Sequence, residues 1–331
     1  MKNEGPYLLE WVAHHKALGF DQLVVAHNDC SDGTARMLRR LTQMGIVSHH
    51  RTHLNTMIGV HRSALKQGRA RLAPDDNDWV FVCDTDEFLN VHVGDNSVQA
   101  LIEHSGPDSD IISIPWRIFG QDGQRDFVDA RITRQFLATE RPYVDAQTTP
   151  LTGKWMKSIS RNNSKYKRQG IHHPVVSERH EKGLQWVMAG GAPQKTAEDR
   201  AANPPSWAAA QINHYALRSL DSYLVKRDRG RANHMNETLG LEYHAKFDLN
   251  HEIDTSVLRY EAATSVIYEY LMSDKTLRDL HLAAVDWHRR KVAAMRADAK
   301  LEPVIAALEA SCAQNALRLH DWDAQEVRRA G

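Results

Sequence analysis

Cysteine is scarce: Cys30, Cys83 and Cys312 are the only three in 331 residues, with no C-x-x-C and no short spacing. That excludes a disulfide framework and a thiolate zinc site, and it fits a reducing compartment. An excess of charge of either sign is also missing, since Lys+Arg and Asp+Glu both total 42. Binding to phosphate backbones needs a basic surplus, so nucleic acid is not expected as a partner. No uncharged apolar run approaches the ~18 residues of a membrane helix. The opening Met1-Lys2-Asn3-Glu4-Gly5-Pro6 lacks the apolar core of a signal peptide. The expected address is the cytoplasm, with peripheral attachment at the inner face of the membrane as the other option. Repeats and low-complexity tracts are absent.

What is present is 42% hydrophobic and 25% charged, the balance of a globular protein. The length allows one large domain or two moderate ones. Leu8, Trp11, Val12 and Leu18 share a helical face after Pro6, and Gly19 stops it. Leu23-Val24-Val25-Ala26 reads as a buried strand. Helical spacing returns over Thr34–Met44, a strand starts at Ile46-Val47, and Val60–Leu72 is helical. Trp79-Val80-Phe81-Val82-Cys83 is the most strand-like run, Ser97 caps a short helix, and Ile111–Ile114 is a further strand. Helices alternating with short apolar strands predict an α/β fold with a mostly parallel central sheet and helices on both faces. Ligands bind such sheets at the carboxyl ends of strands. The polar loops Asn28–Gly33 and Asp84–Glu87 fall at those ends. Residues 120–210 read as irregular, with Asn203-Pro204-Pro205 a break, and Ser256–Arg329 as a helical appendage. Its amphipathic pattern is expected to serve plain packing.

Asp84-Thr85-Asp86-Glu87 puts three carboxylates in four positions after an apolar strand. They repel one another unless a cation or basic groups compensate, and hard divalent ions use such carboxylates together with substrate phosphates. The plain alternative is an acidic turn. A strand ending in D-x-D also occurs in phosphohydrolases with an aspartyl nucleophile, where Thr or Val commonly stands at the position of Phe88. Nineteen histidines make each one a weak metal candidate alone.

Lys2-Asn3-Glu4, then Glu10-Trp11, then Asn28-Asp29-Cys30-Ser31-Asp32-Gly33-Thr34, then Asp84-Thr85-Asp86-Glu87-Phe88 form an ordered set. In it the chain resembles the family 2-like glycosyltransferases of the GT-A fold, closest to a bacterial branch reading KNE…EW, N-D-x-S-D-G-T and D-x-D-E-F. The likeness covers about residues 2–120 and returns at Asn213-His214-Tyr215 and Lys226-Arg227-Asp228-Arg229-Gly230. It implies a GT-A-type, Rossmann-like fold. Residues 1–250 are then the catalytic domain, 1–120 its donor half and 121–250 its acceptor half, and 251–331 a helical C-terminal region. It also implies a metal-dependent, inverting transfer of a sugar from a UDP- or GDP-linked donor to a glycan or other hydroxyl acceptor, in polysaccharide biosynthesis. A phosphohydrolase, or a non-catalytic nucleotide-sugar- or glycan-binding protein on this scaffold, stands as the alternative.

Residue by residue, the resemblance places Asn28, Asp29 and Asp32 against the donor's base and ribose, although Ser31 and Asp32 also suit helix capping. Asp84 and Asp86 are expected to hold Mn²⁺ or Mg²⁺, with His214 as a third ligand, and Arg62, Lys226 and Arg229 to meet the donor. Asp86 and Glu87 are the catalytic candidates. No later acidic residue matches the family's general base cleanly among Asp122, Glu140, Asp145 and Glu178. Trp116 is a candidate sugar platform, though buried Trp is commoner. Lys154–Lys157 and Gly170–Pro174, with His173 at a His-Pro position, look like the acceptor side. In the resembling family a strand directly precedes K-N-E. Its lack would leave ladder groups unpaired and bear on the donor-base pocket more than on the metal site.

Overall fold

A computed structural model describes residues 1–142, 155–194, 206–230 and 239–316; Asp145, Lys154 and Asn203-Pro204-Pro205 lie outside them. Helix α1 (Gly5–Ala17) carries Pro6 in its first turn. Its Leu8, Leu9 and Val12 are fully buried, each worth about 1.5–3 kcal/mol of transfer from water. Then come β1 (Val24–His27), α2 (Thr34–Gln43), β2 (Ser48–Arg51), α3 (Val60–Leu72) and β3 (Trp79–Phe81). β4 (Glu87–Val91), α4 (Val98–Ser105) and β5 (Ile111–Ile118) complete the first part.

The stretch read as irregular supplies α5 (Ile132–Gln135), β6 (Ala138–Thr139), β7 (Met156–Arg161), β8 (Tyr166–Arg168), β9 (Val175–Val176) and β10 (Trp186–Met188), and β11 (Ala210–His214) starts at its end. After it come α6 (Leu220–Arg229), α7 (Leu241–Phe247) and β12 (Glu252–Ile253), then the helices α8 (Glu261–Ser273), α9 (Lys275–Arg296) and α10 (Glu302–Asn315).

The main sheet runs β3-β7-β5-β11-β4, with β10 also on β5. The α/β class with a helical C-terminal part is as expected, but the sheet is mixed rather than mostly parallel. β3/β7, β5/β7 and β11/β4 are antiparallel; β10/β5 and β11/β5 are parallel. The physical reason is that β7 and β11, from later in the chain, insert between the early strands. Pro115, unusual in a central strand, falls where β5 changes partner: β10 pairs with Ile111–Ser113 and β11 begins at Trp116.

β1 and β2 form a separate parallel pair. On the other side of β1 Met1 makes one step of pairing, its N–H₃⁺ donating to Ala26 O at 2.6 Å and its carbonyl accepting from Asn28 N at 3.2 Å. The C-terminal helices pack onto the early ones, α8 and α9 against α1, and α9 also against α2 and α6. An added Cβ on Gly5 would lie 2.5 Å from Ala284 Cβ, so glycine is what lets α9 come this close. No helix among the described residues is long and apolar enough to cross a membrane.

Candidate active site

A cleft of about 1720 Å³ runs between β1 and β3 and reaches the loops at their carboxyl ends. At its centre Asp84-Thr85-Asp86 forms a tight turn straight into β4, with Glu87 N donating to Asp84 O. The turn is clamped from several sides. Trp11 Nε1 donates to Asp84 O at 3.1 Å, Arg218 to Thr85 O at 3.2 Å, and Tyr215 N to Asp86 O at 2.8 Å. Glu87 Oε2 accepts from Asp84 N at 2.8 Å. Both acidic side chains are thereby aimed from a rigid base.

Each carboxylate has its own lysine. Lys157 of β7 is 0% exposed, and its Nζ lies 3.1 Å from Asp84 Oδ2 and 3.2 Å from Glu87 Oε2. Lys226 of α6 reaches Asp86 Oδ2 at 2.7 Å and Ala216 O at 2.7 Å. Burial acts to raise the Asp86 pKa, but Lys226, His214 and Arg218 outweigh it and hold the carboxyl well below the usual range. Glu87 shows the opposite balance. Burial, with Asp84 and Asp86 adding to it and Lys157 opposing, pushes its carboxyl up to about 8. At pH 7 this balance favours the protonated form of Glu87, which is fully buried beneath the turn and braces Asp84 from below.

The amino-terminal motif and the N-D-x-S-D-G-T loop hold each other. Asp32 is buried; it accepts from Gly5 N at 2.8 Å and Thr34 N at 2.9 Å, so it caps two helix starts and does not face the cleft. Gly33 takes φ +102°, a left-handed turn that a side chain would strain. Asn28 and Asp29 do line the cleft. Glu4, 2% exposed, binds Arg218 at 2.8 Å and Arg229 at 2.5 Å. Arg218 also lies 3.7 Å over the Tyr7 ring. This ion cluster ties α1, the acidic turn and α6 together.

The other candidates divide. Arg62 is exposed and does not line the cleft, whereas its neighbour His61 does. His173 packs on Trp186, and His172 is the one in the cleft. Trp116 is 9% exposed and lines the cleft against His214, ring centroids 4.2 Å apart. Glu140 is buried and accepts from Ile118 N, and Glu178 is a surface partner of Lys167. The sequence reading passes over Arg218, keeps Glu4 only as part of a motif, and puts Lys157 on the acceptor side rather than against the carboxylates. The signal for Lys157 was available: adjacent carboxylates at a strand end require a buried cation.

For a divalent ion, the described residues form no group of three His, Cys, Asp or Glu donors. The nearest set is Asp86 with His214, whose Nε2 is 3.8 Å from Asp86 Oδ2, and the half-exposed Asp84. His214 is kept neutral chiefly by burial, and its Nδ1 has no hydrogen-bond partner among the described residues. Such a set does not enclose a metal alone, but it fits one whose remaining positions are filled by phosphate oxygens and water.

The sequence motifs pointed to the family 2-like group; the family model that matches is another, glycosyltransferase family 92, over residues 3–182. No curated protein and no solved structure shows significant similarity to the chain. A match across more than half of the 331 residues settles the family: this protein belongs to glycosyltransferase family 92.

Proposed function

We propose that this glycosyltransferase takes its sugar from a nucleoside-diphosphate donor lying in the cleft. The base and ribose lie toward Asn28 and Asp29, and the diphosphate lies between the Asp84–Asp86 turn and the cations Lys226 and Arg229. The observation that carries this reading is the meeting of two rigidly aimed carboxylates, Asp84 and Asp86, with Lys157 and Lys226, with the Arg229–Glu4 pair in the same cleft. That placement suits a ligand combining a ribose with a pyrophosphate. Asp86, His214 and Asp84 are the residues that would hold Mn²⁺ or Mg²⁺. When bound there, the ion supplies Lewis-acid neutralisation of the leaving diphosphate. Lys226 and Arg229 supply fixed positive charge for the same developing charge. Glu87 and Asp32 support the site from behind. The transfer is a single displacement with inversion, onto a hydroxyl of a glycan or similar acceptor.

The test is calorimetric titration with UDP and with GDP, each with and without Mn²⁺, on the wild type and on Asp86→Ala. Mn²⁺-dependent binding of one diphosphate, weakened tenfold or more in the variant, is the expected result. Binding of equal strength with and without Mn²⁺ would remove the metal from the reading. Binding of neither diphosphate would remove the donor site.

A further inference from the structure

Transfer onto a hydroxyl needs a group that takes its proton, and the carboxylates of the cleft are engaged otherwise. Among the described residues, Glu4 is held by Arg218 and Arg229, Asp84 by Lys157, Asp86 by Lys226 and Asp228 by Lys291. Asp29 faces Arg51. Asp21 and Asp78 precede β1 and β3, at the opposite ends of those strands from the acidic turn.

One wall of the cleft is aromatic instead. Trp116 of β5, Trp155 just before β7, and His172 form a triangle, with ring centroids 5.9, 5.6 and 5.7 Å apart. His172 Nδ1 lies 2.9 Å from the carbonyl oxygen of Met156. A carbonyl can only accept, so Nδ1 carries the hydrogen and the lone pair is left at Nε2. The wall also reaches the diphosphate end: Trp116 packs on His214, which adjoins Asp86. His61 also lies near Asp84 but takes no part in this triangle.

We propose that His172 is the general base of the transfer and that Trp155, backed by the buried Trp116, holds the pyranose ring of the acceptor beside it. This deepens the nucleotide-sugar reading and rests on it. A hexopyranoside would set its C–H face on the exposed Trp155 indole and one hydroxyl at Nε2. The acceptor oxygen bonds to the anomeric carbon while its proton passes to Nε2. The bond from that carbon to the diphosphate oxygen breaks, and its electron pair leaves with the nucleoside diphosphate. The imidazolium then returns the proton to solvent. Burial foremost, with Lys157 and His173, holds the ring's pKa at about 4 against the opposing Met156 carbonyl and Asp84. The base form is thus present at neutral pH.

The full chain is assayed for release of UDP or GDP from UDP-glucose, UDP-galactose, UDP-N-acetylglucosamine and GDP-mannose, with methyl glucoside, galactoside and mannoside as acceptors. UDP and GDP titrations serve as the binding control. His172→Asn can keep a donor to Met156 and has no Nε2. Its transfer rate is expected to fall about 100-fold or more, with diphosphate affinity within twofold of wild type and the acid limb of the kcat/KM profile near pH 4 lost. Trp155→Ala should raise the acceptor KM about tenfold with kcat nearly unchanged, and Trp155→Phe should restore most of it. Transfer by His172→Asn within fivefold of wild type, or loss of diphosphate binding along with transfer, overturns the assignment of the base. Diphosphate binding by the wild type without transfer to any of these glycosides overturns the acceptor class. Absence of diphosphate binding by the wild type overturns the donor reading, and this inference falls with it.

Discussion

Glu87→Gln offers a sharp test of the electrostatics beneath the acidic turn. The side chain is 0% exposed, braces Asp84 N at 2.8 Å, and has its carboxyl pushed from 4.5 up to about 8. A carboxyl raised on folding binds its proton more tightly in the folded than in the unfolded chain. Its effect on stability is therefore nil below pH ~4.5, grows unfavourable as pH rises through the interval, and levels off above about 8. At ~1.36 kcal/mol per unit, the three units from pH 5 to pH 8 amount to at most about 4 kcal/mol. Glutamine has the shape of the protonated acid, keeps an acceptor for Asp84 N, and does not titrate. Urea unfolding of the wild type should lose stability between pH 5 and pH 8, and the variant should lose clearly less. The two proteins should match near pH 5, with Glu87→Gln the more stable by a few kcal/mol at pH 8. Parallel stability curves over that range would refute a buried, neutral Glu87.

Three further outcomes test how the motifs hold one another. Asp32→Ala removes the acceptor of Gly5 N and Thr34 N and should cost about 2–4 kcal/mol in urea unfolding; a cost below about 0.5 kcal/mol would place the capping elsewhere. Arg218→Lys keeps a charge near Glu4 but loses the fork that also reaches Thr85 O and the stacking over Tyr7. It should cost about 2 kcal/mol, read as a lower urea midpoint at unchanged slope. Gly5→Ala drives a methyl to 2.5 Å from Ala284 Cβ and should destabilise by about 1–3 kcal/mol; adding Ala284→Gly should recover most of the lost melting temperature.

The first part of the chain was legible because its elements announce themselves locally. Pro6, Gly19 and the spacing of Leu8 and Val12 mark α1, and Val60–Leu72 was read with the bounds that form. β7 and β11 were not legible, because their interior positions are polar. Met156-Lys157-Ser158-Ile159-Ser160 falls in the stretch that reads as irregular, and Gln211-Ile212-Asn213-His214 shows a motif rather than a strand, yet these residues are buried. What makes such strands stable is distant in sequence. Gln211 finds Asp254 and Arg117, and Lys157 finds Asp84 across 73 residues. Periodicity cannot report partners of that kind, and so the mixed sheet and the counter-ions of the acidic turn were hidden together. Lys157→Met measures the hidden link. Removing one member of a buried ion pair costs about 3–5 kcal/mol. Here the half-exposed Asp84 can take up water and Glu87 favours its protonated form, which reduces the expected loss to about 2–3 kcal/mol. If the ammonium serves chiefly Asp84, Asp84→Asn should cost less in the Lys157→Met background than in the wild type, with a coupling of at least about 1 kcal/mol in a double-mutant cycle. Additive costs would mean that Lys157 is held in the sheet for its aliphatic stem, and that Asp84 is aimed by the backbone clamps alone.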